Sequence, residues 1–536
     1  MKKVLIMMLL VVFTVSSLAG CGGKGNPASS DAGKKITYTI NDEPEQMDPT
    51  MNQYARSSIV LQNLFRGLYK VGEDGNTAPA LAESYTLDSS GTVYTFTLRE
   101  NAKWSDGQKV TAQDFEYSWK RVLDPAVGSP TAMSLYSLKN GQAFNEGKAR
   151  AEDVGVKALD ERILEVTLES PTPWFIELTG TTAFFPVRKD ILEAHPDKWT
   201  QSPSTYACTG PFMLSEIKPK EKLVLVKNPN YVDADKVKLD TLEIVFIEAP
   251  ETALAAYNNN DIQITANLNS EAINQYKGTG EYHTSEKIGF YYFDFNTKKE
   301  PFTDARVRKA FALSIDREQI LNKIVQGPGK PAYGFVPFGI PDPSDKNKDF
   351  RDSAGDIIKE DVAKAKALLT EAGYPDGQGM PEVVLTVMAN QSNKDIAQAF
   401  QNMWKENLGV DVQIQTFESK VYWDELANGN FSIARDGWTG DYPDPLSTLE
   451  IFTSKENEDD NQWANAEFDA LINANRIEQD PKTRYENFLK IEQILAEEMP
   501  IFPLYHYENA YIWKPNVKGV IVNYIGHTIF EYATIE

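Results

Sequence analysis

Apolar and polar positions fall into two textures along this chain, a period of two in the first half and a period near 3.6 in the second. Residues 36–40 predict a first strand, and Tyr94, Phe96 and Leu98 alternate with Thr95 and Thr97 behind a Ser89-Ser90-Gly91 turn. Leu164, Val166 and Leu168 alternate after Asp160-Glu161. Residues 222–226 and 242–247 read as two more strands flanking the turn formers Asn228-Pro229-Asn230. One apolar helix, 59–69, is expected after the loop that begins at Asp48-Pro49.

Beyond about residue 286 an aromatic-rich strand, 290–295, leads into helices. Asp304 is a fitting N-cap for 305–312. The segment 361–372 carries Val362, Ala365, Leu368, Leu369 and Ala372 at helical spacing, and Gly373 and Pro375 stop it. Residues 383–387, a helix with Ile396, Phe400, Met403, Trp404 and Leu408 on one face, and 410–417 predict a βαβ unit. Asp480-Pro481 opens a further helix that buries Phe488, Ile491 and Leu495, and a strand-rich tail runs from 501 to 536. The expected class is α/β. At 536 residues the chain exceeds what one core normally supports, so two or three domains are expected.

The amino terminus changes the picture. Lys2-Lys3, an apolar run over 4–15 and the small residues after it follow the plan of a secretory signal, too short to span a membrane. It ends Leu18-Ala19-Gly20-Cys21, which resembles a lipoprotein lipobox, with cleavage before Cys21 and lipid on that cysteine. Residues 21–34 read as a flexible tether. Cys208 is then the one remaining cysteine, so no internal disulfide is possible and a buried thiol is expected. A formal net charge of −23 disfavours nucleic acid and anionic lipid surfaces and favours cationic or zwitterionic ligands.

Candidate chemistry concentrates in 435–445, Arg-Asp-Gly-Trp-Thr-Gly-Asp-Tyr-Pro-Asp-Pro, which reads as a binding loop. Gly437 and Gly440 admit close approach of a backbone, Trp438 offers a flat apolar face, and Asp441 offers a charge. Motifs for chemistry are missing. His195, His283, His506 and His527 have no metal-ligand spacing, and Val325 to Lys330 lacks the pattern of a phosphate loop. No GxSxG elbow occurs, and Glu456 to Asp460 reads as a solvated acidic face. Asp441 and Asp444, three residues apart on one turn, do not suit the opposed carboxylates of a glycosidase. No cofactor and no metal are expected.

Residues 94–121, Tyr-Thr-Phe-Thr-Leu-Arg-Glu-Asn-Ala-Lys-Trp-Ser-Asp-Gly-Gln-Lys-Val-Thr-Ala-Gln-Asp-Phe-Glu-Tyr-Ser-Trp-Lys-Arg, closely resemble the signature of family 5 solute-binding proteins. Gly210-Pro211-Phe212 with Asn228-Pro229-Asn230-Tyr231, Pro301-Phe302 with Arg306-Val-Arg308-Lys-Ala310, and the stretch from Trp438 to Asp441 extend the likeness over nearly the whole mature chain. It is similar to the oligopeptide-binding branch that serves ABC importers.

The resemblance implies a bilobed periplasmic-binding-protein-like fold of type II with an additional domain. Lobe I would comprise 35–65, 187–286 and 505–536, the additional domain 66–186, and lobe II 287–504, with hinges near 287–289 and 503–505. It implies that Asp441 pairs with a peptide's α-ammonium. The peptide backbone would add as a strand to main-chain groups of Gly437 and Thr439 on one lobe and of Tyr54 and Ala55 on the other. Trp438 and Tyr292 would wall side-chain pockets, Tyr136, Tyr505 and His506 would line the cleft, and Arg435 would meet a short peptide's carboxylate or else hold the loop through a salt bridge. The positions where some relatives carry a disulfide are Gly289 and Thr439, so that bridge is absent. The expected function is a monomeric, lipid-anchored, extracytoplasmic receptor that performs no chemistry and delivers peptides to the permease subunits of an ABC transporter. Murein peptides, nickel chelates or oligosaccharides are alternative ligands within the resemblance. A secreted hydrolase is the alternative outside it.

Overall fold

The computed structural model describes residues 34–73, 75–196, 198–456 and 461–536. The secretory leader, Cys21 with the tether up to residue 33, and residues 457–460 of the acidic run lie outside the described residues.

One sheet runs through the molecule. Its strands are β1 (Lys35–Ile40), β2 (Phe212–Lys218), β3 (Lys222–Lys227), β4 (Thr241–Phe246), β5 (Ile264–Thr265), β6 (Tyr282–Phe295), β7 (Val383–Met388), β8 (Val412–Phe417), β9 (Ile433–Thr439) and β10 (Ile501–Trp513). They lie in the order β8-β7-β9-β6-β10-β5-β1-β4-β3-β2. β1 is parallel to both β4 and β5 and is buried on both faces beyond Lys35, as a central strand must be. A separate four-stranded antiparallel sheet joins Ala82–Leu87, Val93–Leu98, Ile163–Thr167 and Val156–Ala158.

Two large cores follow. The first gathers residues between Ile36 and Ile264 with Val517, Phe530 and Ala533 of the tail, and the second gathers residues between Ile288 and Leu504. The molecule is therefore bilobed. β6 and β10, of 14 and 13 residues, are the strands that serve both halves. Their mutual register slips between Glu286 and Phe290 and again between Tyr291 and Tyr292, opposite the segment from Pro503 to Glu508. A bulged ladder of this kind bends more readily than a regular one.

The βαβ unit stands as expected, with β7 and β8 parallel and α2 (Gln391–Leu408) between them, capped by Asn390 and closed by Gly409 at φ 74°. Ile396, Phe400, Trp404 and Leu408 are buried, so the helical stripe is the core face. Two elements differ from expectation. The first helix, α1, spans Ala55–Leu64 rather than 59–69. Its apolar run continues because Phe65 and Leu68 are buried in extended chain, and Gly67 leaves no room for a side chain against the Thr179 carbonyl. The helix Ala112–Leu123 was not anticipated. Its signal is Asp114, which accepts the Thr111 main-chain N–H (2.8 Å) in the manner of a capping box.

Candidate functional site

The expected loop 435–445 is a strand in its first half. β9 pairs with β6 along its whole length but with β7 only at Ile433 and Ala434, so from Arg435 to Thr439 its other edge has no strand partner. The Gly440 N–H donates to the Ile288 carbonyl (2.7 Å), which fixes the alternation. Trp438 and Asp436 turn their main-chain groups to β6, and Arg435, Gly437 and Thr439 turn theirs to the open edge. Two local bonds dress that edge. Tyr422, on α3 (Ser419–Ala427), donates its hydroxyl to the Arg435 carbonyl, and the Gly437 N–H donates to Asp436 Oδ1 (2.6 Å).

Glycine at 437 answers to the protein's own packing. A Cβ there would run into the Tyr507 hydroxyl, and one at Gly289 would lie 2.8 Å from the Tyr507 ring and 2.5 Å from the Trp438 carbonyl. Tyr507 thus lies across two bare strands. Gly289 and Thr439 face each other directly in the ladder.

On this face of the sheet Arg435 stacks over Tyr291 at 4.3 Å, and Tyr291 stacks on Tyr505 with centroids 5.1 Å apart. Tyr507 meets Tyr505 edge-on, and Lys287 lies 5.7 Å over the Tyr507 ring. Arg435 has no carboxylate within ion-pair distance among the described residues, and its buried Nε has no hydrogen-bond partner there. Burial works against its charge, but Tyr291, Tyr507 and Asp436 beside it hold its pKa above the ordinary value. A guanidinium carried on an aromatic face with unused donors can accept an anionic group.

Asp441 lies just past the strand, accessible to solvent, and forms no ion pair with a described cation. The protein around it, and then Glu450, push its carboxyl above the ordinary value. Glu450 is itself engaged by Arg476 (3.0 Å) and by the Tyr442 hydroxyl (2.7 Å). Trp438 is half-buried, its indole N–H donating to the Ser447 carbonyl (2.7 Å), so the ring has a fixed pose. Asp444 is buried. It holds Arg484 through two bonds of 2.5 and 2.8 Å and accepts the Leu446 N–H (3.0 Å), so it anchors the loop rather than merely turning it.

Several expected residues lie elsewhere. Tyr292 is 5% exposed and packs on Phe290 and Phe452; alternation puts it on the face opposite Tyr291, which is as deeply buried (4%) and donates its hydroxyl to Asn393 (2.7 Å) but whose ring carries Arg435. His506 has the same parity problem. It is 1% exposed, bonded through Nε2 to the Gly334 carbonyl (3.0 Å), and burial drives its pKa down to about 3. Tyr136 gives its hydroxyl to Asn145 (2.8 Å) and packs on the first core. Tyr54 is exposed, but its N–H goes to Asn52 and its carbonyl to Ser58, leaving no main-chain group for strand addition. Ala55 is the first residue of α1, with no side chain capping that end. Tyr505 does join Arg435.

The residues that sequence reading missed are Tyr291, Tyr507, Lys287 and Trp423. Trp423 is 44% exposed on α3 beside the buried Tyr422, whose hydroxyl is the group that reaches the Arg435 carbonyl, and no local pattern in the sequence marks Trp423. Cys208 is buried, its thiol raised to about 12 by burial. Among the described residues no group of three His, Cys, Asp or Glu is arranged to hold a metal.

Comparison with known proteins gives the following. The chain is 35% identical to the dipeptide-binding protein DppE of Bacillus subtilis over 97% of this chain and 95% of that one. It is 36% identical to the oligopeptide-binding protein OppA of the same organism over 99% of each. Among solved structures, the murein tripeptide-binding protein MppA in its unliganded open form matches with a TM-score of 0.85 at 35% identity, covering 94% of this chain and 98% of that one. A second structure of the Escherichia coli MppA matches at 0.68, with the same identity and 94% and 99% coverage. Residues 76–460 match the model of the bacterial extracellular solute-binding proteins, family 5, and the chain belongs to that family.

Proposed function

We propose that this protein is a peptide receptor that works without chemistry of its own, capturing peptides between its two lobes and delivering them to the permease of an ABC transporter. The observation that carries the reading is Asp441, a carboxylate with no described cation partner at the end of a strand whose open edge presents Gly437 and Thr439. A peptide's α-ammonium would pair with Asp441 while its extended backbone adds to that edge. Pocket walls would come from Trp438 and Trp423, and Arg435 would meet the carboxylate of a short ligand. The lobes would close about the bulged ladder of β6 and β10. The TM-score of 0.85 to an unliganded open form of MppA supports an open arrangement of the lobes here. The lipobox-like end of the leader supports an anchor at Cys21, and the receptor would act as a monomer outside the membrane.

Calorimetry with a short unmodified peptide and its N-acetylated form tests the reading. Acetylation removes the charge and is expected to weaken binding roughly 100-fold, the scale of a desolvated charge pair. Equal affinities would overturn it. Mass spectrometry of co-purified ligand separates ordinary peptides from murein peptides, which keep the same free amino group.

Binding should also depend on pH with a definite sign. Asp441 must be ionised to hold an ammonium and its pKa is raised, so affinity is full well above ordinary carboxylate pKa values and falls as pH drops through the raised one. Calorimetry between pH 7 and 4 reads this. Affinity that rises on acidification would contradict it.

A further inference from the structure

The segment 171–178, Pro-Thr-Pro-Trp-Phe-Ile-Glu-Leu, faces two ways. Phe175 is fully buried in the first core against Tyr94 (5.1 Å) and Trp119 (6.5 Å). Trp174, its neighbour, reaches out and packs against the second core. Its indole lies flat on Tyr442, with centroids 4.7 Å apart and planes 5° from parallel, and the Arg484 guanidinium sits 5.5 Å over the indole. Arg484 is fixed by its two bonds to the buried Asp444. Two weaker contacts cross beside the stack, Lys346 to Glu177 (3.0 Å) and Gln479 Nε2 to the Ser90 carbonyl (3.3 Å). All three border a cavity of about 780 Å³ lined also by Tyr94, Pro443 and Tyr524.

The place of this contact in the chain gives it a consequence. Tyr442 immediately follows Asp441. On one side the Asp441 backbone is tied to the sheet by the bond from Gly440 to Ile288 (2.7 Å). On the other it is tied through Tyr442, whose hydroxyl is held by Glu450 and whose ring is held by Trp174. With Trp174 removed, Tyr442 would keep its hydroxyl bond to Glu450 and the Asp444 N–H on its carbonyl (2.9 Å) but lose the flat face that fixes its ring, and the cavity that Trp174 borders would open towards it.

We infer that Trp174 is a positioning residue for Asp441: the first lobe's side of the molecule reaches across to lock Tyr442 and so holds the Asp441 carboxylate aimed at an incoming ammonium. The inference rests on the peptide-binding reading above. Lys346–Glu177 is a largely solvent-screened pair and adds little, so the aromatic stack is the part that matters.

Calorimetry on Trp174→Ala, Trp174→Phe, Asp441→Ala and the double variant Trp174→Ala/Asp441→Ala decides it. Trp174→Ala is expected to lose about tenfold in affinity for an unmodified peptide and nothing for the N-acetylated one. Trp174→Phe keeps a ring to stack and should retain most of the affinity. In the Asp441→Ala background the Trp174 change should have no further effect. A merely structural role for Trp174 would weaken both peptides alike and add its full factor in the double variant, and that result would overturn the inference. So would wild-type affinity in Trp174→Ala alongside a weakened Asp441→Ala. Wild-type affinity in Asp441→Ala would instead overturn the peptide-ammonium reading on which both rest.

Discussion

Asp441→Ala is expected to cost roughly 3–5 kcal/mol of affinity for a short unmodified peptide while leaving the melting curve unchanged. The size follows from what the closed complex would contain. An α-ammonium enclosed between two lobes loses its water, and a single carboxylate restores most of what is lost because the pair interacts in a medium far less polarisable than water. Remove the carboxylate and the ammonium is stranded. Strand addition along β9 contributes about 0.5–1.5 kcal/mol per hydrogen bond and is indifferent to sequence, so no one of those bonds competes with the charge pair. Asp441→Asn separates charge from shape: it keeps a hydrogen-bond acceptor, and it should recover only a minor part of the loss. Folding should be unaffected because Asp441 makes no ion pair with a described residue and is open to solvent. Calorimetry that returns wild-type affinity for Asp441→Ala would remove the carboxylate from the site.

The molecule was legible in sequence where a single periodicity decides the answer. Ile396, Phe400, Trp404 and Leu408 could only be the core face of a helix, and β1, β3, β4 and β8 begin and end within about two residues of expectation. Parity was harder. In a run as uniformly aromatic as Phe290-Tyr291-Tyr292-Phe293, nothing local says which tyrosine shares a face with Arg435, since both are buried and both faces of a central strand are apolar. The structure chose Tyr291 for the Arg435 side, and by the same parity Tyr505 and Tyr507 rather than His506. The anchoring role of Asp444 was hidden for another reason. Its partner Arg484 is forty residues away on the helix Pro481–Glu498, and a long-range ion pair leaves no trace in the spacing of either residue. Trp174 likewise looks like one more core aromatic beside Phe175, and only the fold reveals that neighbours in sequence serve different cores.

Glu531→Gln is expected to destabilise the protein by about 3–5 kcal/mol without altering peptide affinity. Glu531 is 0% exposed and sits at the centre of a buried charge network joining three distant parts of the chain. Arg66 reaches one oxygen at 2.8 Å, and Lys70 (2.5 Å) and the Tyr231 hydroxyl (2.9 Å) reach the other. Lys70 also bonds Asp233 (2.9 Å), which in turn takes Arg99 (2.9 Å). Three cations, Arg66, Lys70 and Arg99, share two carboxylates, Glu531 and Asp233, so the network has no carboxylate to spare. Glutamine in place of Glu531 leaves Arg66 without a carboxylate and makes Asp233 serve Lys70 and Arg99 alone, and an uncompensated cation in the interior is far more costly than an exposed one. The tail that Glu531 pins also supplies Phe530 and Ala533 to the first core, so its loosening exposes apolar surface too. Melting is expected to fall by roughly 3–5 °C, at about 1 °C per kcal/mol for a cooperative unit of this size. Acidity supplies an independent check. Burial works to raise the Glu531 carboxyl, but Arg66 and Lys70 outweigh it and hold the group below its ordinary value of 4.5. A carboxyl lowered in the folded state contributes stability that is fully present above the unfolded value and is lost as pH falls through the folded one. Wild type should therefore lose stability progressively below about pH 4.5 with a steeper slope than Glu531→Gln, which has no proton to take up at that position. Melting curves recorded from pH 7 to 3 that superimpose for the two proteins would refute the assignment.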